Sequence, residues 1–181
     1  MPSRLPYFSH PVPRLFRLLF PAAGLLFVTA CSHYQLGTGG KLAFSTVYVA
    51  PARNTSRLPQ AQAILTTQVR EALAQDGRVA LANSPQAADA TLEIVIRDYH
   101  RDVASVRETD TGLARKFTLT LAVDCTLRDN RNGTVYFANR PIDTQRDAFV
   151  DGGQLQAEYQ TVPLLAESIA KKITRAVLDV W

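Results

Sequence analysis

Phe117-Thr118-Leu119-Thr120-Leu121-Ala122-Val123-Asp124-Cys125-Thr126-Leu127 is the stretch that decides the fold. Its odd positions are all apolar, and its even positions are polar apart from Ala122. A period of two belongs to a strand with one covered face and one wet face. The alternation reaches back to Lys116 and Leu113. Upstream, Leu92, Ile94 and Ile96 share one face of a second strand that starts near Ala90. Between Ile96 and Leu113 the chain is polar, so the two strands read as one long hairpin. Typical strands run about 5–6 residues, and arms of a dozen or more indicate a surface built for contact. Downstream, Asp129-Asn130-Arg131-Asn132-Gly133 is a turn into a strand over Thr134–Ala138, which resumes near Asp143–Val150 after Pro141.

Helices flank this block. Thr46–Ala50 is β-branched and aromatic and stops at Pro51. Asn54-Thr55-Ser56 supplies capping residues, and Pro59 suits a first helical turn. Ala61, Leu65, Val69, Ala72 and Leu73 recur at helical spacing and Gly77 is a natural stop, which predicts a helix over about 58–76. Arg78–Ala82 is a short strand. Near the end, Leu165, Ile169, Ile173, Ala176, Val177 and Val180 form one stripe. Pro163 means that this helix either begins near Thr161 or begins earlier and kinks. The expected fold class is α+β: a two-layer sandwich, with two amphipathic helices on one face of a four- to five-stranded mixed or antiparallel sheet.

Of the 181 residues, 46% are hydrophobic and 20% charged, a globular composition. Three of the 20 basic residues and none of the 16 acidic ones fall in the first seventeen positions, so the remainder carries 17 bases against 16 acids. That near-neutral remainder argues against nucleic acid as a partner. The uncharged run Leu18–Val28 would reach only about 16 Å as a helix, too short to span a bilayer. Basic residues followed by a short apolar run read as a secretory signal over residues 1–30. Val28-Thr29-Ala30-Cys31 resembles the lipobox of bacterial lipoproteins. That resemblance implies that Cys31 is acylated on sulfur and amine, and several acyl chains hold a domain stably on a bilayer. Ser32 after the cysteine favours the outer membrane. Residues 31–45, with Gly37, Gly39 and Gly40, read as a lipidated cysteine and flexible tether, and 46–181 as a single domain. Cys125 has no partner and reads as a small buried hydrophobe.

Motifs for catalysis are absent. Beyond the leader the histidines are His33 and His100. There is no His-Glu-x-x-His, no Cys-x-x-Cys, no nucleophile elbow and no phosphate-binding loop. Asp98 and Asp102 read as solvated strand charges. The expectation is no enzyme, no catalytic residue, no metal and no cofactor.

Several motifs together resemble the lipopolysaccharide-assembly lipoproteins, the LptE-like family. They are Cys31-Ser32-His33-Tyr34-Gln35-Leu36-Gly37, Val47-Tyr48-Val49-Ala50-Pro51-Ala52-Arg53-Asn54-Thr55, Ala87-Ala88-Asp89-Ala90-Thr91-Leu92, the Phe117–Leu127 strand and the closing helix with Ala166-Glu167. The resemblance implies an outer-membrane lipoprotein on the periplasmic side. Such a protein sits in and plugs a β-barrel translocon (LptD-like), and assists assembly and transport of lipopolysaccharide. It also implies that Arg107, after the Ser105-Val106 step, contacts lipopolysaccharide; Arg115 and Lys116 are neighbouring candidates by position alone. A polar, Thr-rich open sheet face suits a polar barrel lumen. The competing expectation is an envelope lipoprotein that docks on a cell-wall synthase or secretion pore as a non-catalytic accessory.

Overall fold

The computed structural model describes residues 42–58, 60–106, 114–150 and 153–180. The elements are β1 (Thr46–Val49), β2 (Arg53–Asn54), α1 (Ala61–Asp76), β3 (Ala80–Leu81), a 3-10 turn (Pro85–Ala87), β4 (Ala90–Val106), β5 (Ala114–Asp129), β6 (Val135–Phe149) and α2 (Gln154–Leu178). They form one six-stranded sheet in the order β3-β1-β4-β5-β6, with β2 also on β4. β1 runs parallel to both β3 and β4, while β4, β5 and β6 are antiparallel. The sheet is therefore mixed, with both helices on one face.

The period-two stretch explains the layering. In β5, Leu119, Leu121, Val123, Cys125 and Leu127 are all buried, joined in one core by Leu92, Ile94 and Ile96 of β4. Leu65, Val69 and Leu73 of α1 and Leu165, Ile169 and Ile173 of α2 close that core from the helical side. The even positions of β5 face away from the helices. Burying a leucine or isoleucine contributes about 1.5–3 kcal/mol each, so this layer accounts for much of the stability.

A bulge decides what each face of β4 carries. Ile96 is opposite Val123 and Asp98 opposite Ala122, so Arg97 is an extra residue. The bulge shifts the inward parity from even positions (Leu92, Ile94, Ile96) to odd ones (Tyr99, Arg101, Val103). Arg97 and Asp98 consequently both emerge on the open face.

Three local expectations change. The sheet has one strand more than expected, because β2 resumes the edge that Pro51 interrupts. The Ala52 N–H donates to Thr66 Oγ1 of α1 at 3.0 Å, and Thr55 N–H returns to Ile96 O at 2.9 Å. Asn54 shapes the turn ahead of α1 and does not cap the helix. Its Oδ1 accepts from the Ser56 N–H at 2.9 Å and its amide donates to Leu58 O at 2.7 Å, so α1 begins only at Ala61. Pro59 lies outside the described residues. Finally, β6 runs unbroken through Pro141, which is tolerated because β6 is an edge strand. The irregularity falls just before it, at Asn139 with φ 48°.

Other expectations match. Gly77 ends α1 in the left-handed region at φ 76°, donating to Leu73 O. Of the two starts allowed for the last helix, the structure has the earlier one, at Gln154 with Pro163 inside. Cys125 is fully buried and unpaired, and burial pushes its thiol pKa up to about 12.

Candidate functional site: the open face of the hairpin sheet

The register of β4, β5 and β6 sets the open face out in cross-strand rows. Asp102, Thr118 and Asp147 make one row, His100, Thr120 and Gln145 the next, and Asp98, Ala122 and Asp143 the third. Four carboxylates thus stand at the corners of a patch about 13 Å along the strands and about 10 Å across. Small residues floor it and longer ones rim it. Ala122 is 7% exposed and Thr120 only 6%, although no helix among the described residues covers this face.

Charges on this face are unevenly matched. Arg53 meets Glu93 at 3.9 Å, Arg97 meets Asp124 at 3.4 Å, and Lys116 meets Asp147 at 3.0 Å. Asp98 and Asp102 share His100, whose Nδ1 is 2.9 Å from Asp98 and whose Nε2 is 3.4 Å from Asp102. Asp143 makes no ion pair among the described residues. The Thr120 hydroxyl, enclosed between His100 and Gln145, has no hydrogen-bond partner there either.

Lys116 is the one sequence-predicted contact residue whose side chain is described. Its ammonium and the Thr118 hydroxyl both donate to Asp147, each at 3.0 Å. The Lys116 ammonium, followed by that hydroxyl, lowers the Asp147 carboxyl below its ordinary pKa. Lys116 is therefore already engaged on the sheet. Arg115 lies on β5 by its backbone, and its side chain is outside the described residues, as are Arg107, Cys31 and His33.

The helical side of the same end is apolar with a polar core. Tyr99 donates to Glu158 at 3.4 Å, Arg101 is paired with Glu158, and the Arg101 guanidinium lies 5.0 Å over the Phe117 ring. Burial, then Glu158, pushes the Tyr99 pKa up to about 12. Val103, Leu155 and Tyr159 are exposed here at 60%, 83% and 70%. A cleft of about 300 Å³ between the helix starts is lined by Leu58, Ile64, Val162 and Pro163.

At the opposite end, two carboxylates lock the entry of β1. Asp89 accepts from the Ser45 N–H and hydroxyl, both at 2.8 Å, and from the Thr46 N–H at 3.0 Å. Asp129, 2% exposed, accepts from the Arg131 guanidinium and N–H and from the Tyr136 hydroxyl. This gives the Ala88-Asp89-Ala90 motif a structural purpose that sequence reading had not assigned. It stitches β1 to the start of β4.

Among the described residues, no group of three His, Cys, Asp or Glu could hold a metal ion. No helix there is long and apolar enough to cross a membrane.

No curated protein sequence matches the chain. A minor lipoprotein of Acinetobacter baumannii is similar in structure at TM-score 0.51 and 18% identity, over 76% of this chain and 94% of that one. A hypothetical protein of Chlamydia trachomatis is similar at TM-score 0.55 and 12% identity, over 76% and 98%. A protein of Xanthomonas campestris reaches TM-score 0.51 at 17% identity, over 76% and 83%. At such identities these likenesses establish the two-layer fold alone. The family model described as lipopolysaccharide-assembly, LptE, matches residues 44–177, from the entry of β1 to the last turn of α2. With nearly the whole folded domain inside that match, the chain belongs to the LptE family of lipopolysaccharide-assembly proteins.

Proposed function

We propose that this chain is a lipoprotein of the outer membrane, anchored on its periplasmic side through acylated Cys31. There it seats in and plugs a β-barrel translocon (LptD-like) and assists lipopolysaccharide assembly. The observation that carries this reading is the family match over residues 44–177. The architecture agrees with it. A hairpin with arms of 17 and 16 residues offers a long contact surface, and its open face is polar, as a barrel lumen requires. The role is non-catalytic. Asp98 and Asp102 flank one exposed histidine on the open sheet face, and all three read as solvated strand charges. Cys31 is the lipidation site, and Arg107 and Arg115 are the lipopolysaccharide contacts. Lys116 joins them by exchanging Asp147 for a phosphate group.

The test is affinity purification of the C-terminally tagged full chain from detergent-solubilised membranes, with mass spectrometry of the eluate. A stoichiometric outer-membrane β-barrel accompanied by lipopolysaccharide is expected. A cell-wall synthase or a secretion pore in its place overturns the reading.

A further inference from the structure

We propose that the trough along β5 on the open sheet face is a docking site for a protein surface bearing arginine or lysine. Its rim is Asp98, Asp102, Asp143 and His100. This rests on the preceding reading and specifies which face of the chain meets the barrel wall.

Charge is the leading argument. Three cations on this face are already matched to Glu93, Asp124 and Asp147. Among the described residues, what remains around Ala122 and Thr120 is Asp98, Asp102 and Asp143, with His100 between the first two and the Lys172 ammonium on the Asp143 backbone oxygen at the sheet edge. Asp98 and Asp143 flank Ala122 across the sheet, and Asp98 and Asp102 flank one histidine along β4. Arg128, also on this face, stands about 20 Å down β5 from Ala122. Asp98 and Asp143 stand two strands apart, about 10 Å, on either side of Ala122, a span that an incoming cation can bridge.

Shape and an orphaned hydroxyl agree. The Thr120 hydroxyl is enclosed between His100 and Gln145 without a partner among the described residues, and a donor seated between those two side chains would supply the hydrogen bond it lacks. The carboxylates stand too far apart to converge on one bare metal ion, which needs ligands at about 2–2.6 Å. They suit instead several long cationic side chains, whose planar or ammonium heads bind carboxylates over a wider span. The helical layer offers no comparable surplus. There Lys171 already meets Glu167 at 2.6 Å and Arg78 meets Asp76 at 2.7 Å, while Arg175 lines the interhelical groove with Glu71.

The experiment uses the full chain in its native membrane. A photo-crosslinking residue is placed at Gln145 on the open face or at Gln68 on α1. In parallel, the triple variant Asp98→Lys/Asp102→Lys/Asp143→Lys is compared with the milder Asp98→Asn/Asp102→Asn/Asp143→Asn. Capture from Gln145 and not from Gln68, mapped to a barrel segment that carries arginine or lysine, is expected. The lysine variant should recover about tenfold less barrel or worse, the asparagine variant should fall between, and both should melt like the unmodified chain. Full recovery with the lysine variant, or crosslinks from Gln68 alone, overturns this proposal and leaves the plug reading standing. An unmodified chain that recovers no barrel overturns the plug reading and this proposal with it.

Discussion

Two regions of this sheet use aspartate in opposite ways. Where β1 enters, Asp89 and Asp129 are saturated with donors from Ser45, Thr46, Arg131 and Tyr136, and each carboxylate closes a loop onto the sheet. Midway along the hairpin, Asp98, Asp102 and Asp143 have one histidine among them. The same side chain is structural where the backbone turns and supplies donors, and available where strands run straight and their N–H groups are spent on the ladder. Position in the fold, and not residue type, separates a clamp from a contact surface.

The comparison can be broken first by mutation. Leu127→Ala, beneath the clamp, should cost about 2–5 kcal/mol in chemical denaturation because it empties a buried site. Asp129→Ala should lower the same midpoint clearly, as it strands the Tyr136 hydroxyl and Arg131. If Asp129→Ala proves as silent as a surface change, the clamp has no structural role.

Acid provides the next test. Donation from the Ser45 N–H and hydroxyl, then from Thr46, holds the Asp89 carboxyl well below the usual range. Arg131, then Tyr136, lowers that of Asp129 to about 2. Both are lower folded than unfolded, where aspartate titrates near ~3.9, so their stabilisation is whole above that value and fades as pH falls toward about 2. Thermal melts between about pH 5 and pH 2 should fall steeply for the unmodified chain and less steeply for Asp129→Asn. Equal slopes would remove Asp129 from the explanation.

Smaller effects sharpen the contrast. Cys125, fully buried with a raised pKa, should resist alkylation at mildly alkaline pH until the domain unfolds. Its fast labelling in the native state would mean that the core beneath the open face is loose. Asp98→Asn/Asp102→Asn should move stability by no more than about 0.5 kcal/mol, since both carboxylates are exposed and share only the exposed His100. A large loss there would make the open face structural as well.

Much of this architecture is legible in the sequence, because Phe117–Leu127 and Leu165–Val177 carry strong periods that local physics reads directly. What is not legible depends on pairing. The sequence reads as merely polar after Ile96, and only the register against Val123 and Ala122 shows the bulge that puts Arg97 and Asp98 on one face. Lys116 looks free in sequence and is held by Asp147, 31 residues away. Pro141 suggests a broken strand until β6 proves to be an edge. Arg107 and Cys31 come from resemblance and Arg115 from its position alone, and nothing in the described geometry bears on their side chains.

The most direct measurement is native mass spectrometry of the tagged full chain released from outer membranes in mild detergent. A single species of one lipoprotein with one β-barrel, retaining lipopolysaccharide, is the predicted result. A chain found alone, or bound to a cell-wall synthase or secretion pore, would contradict the account.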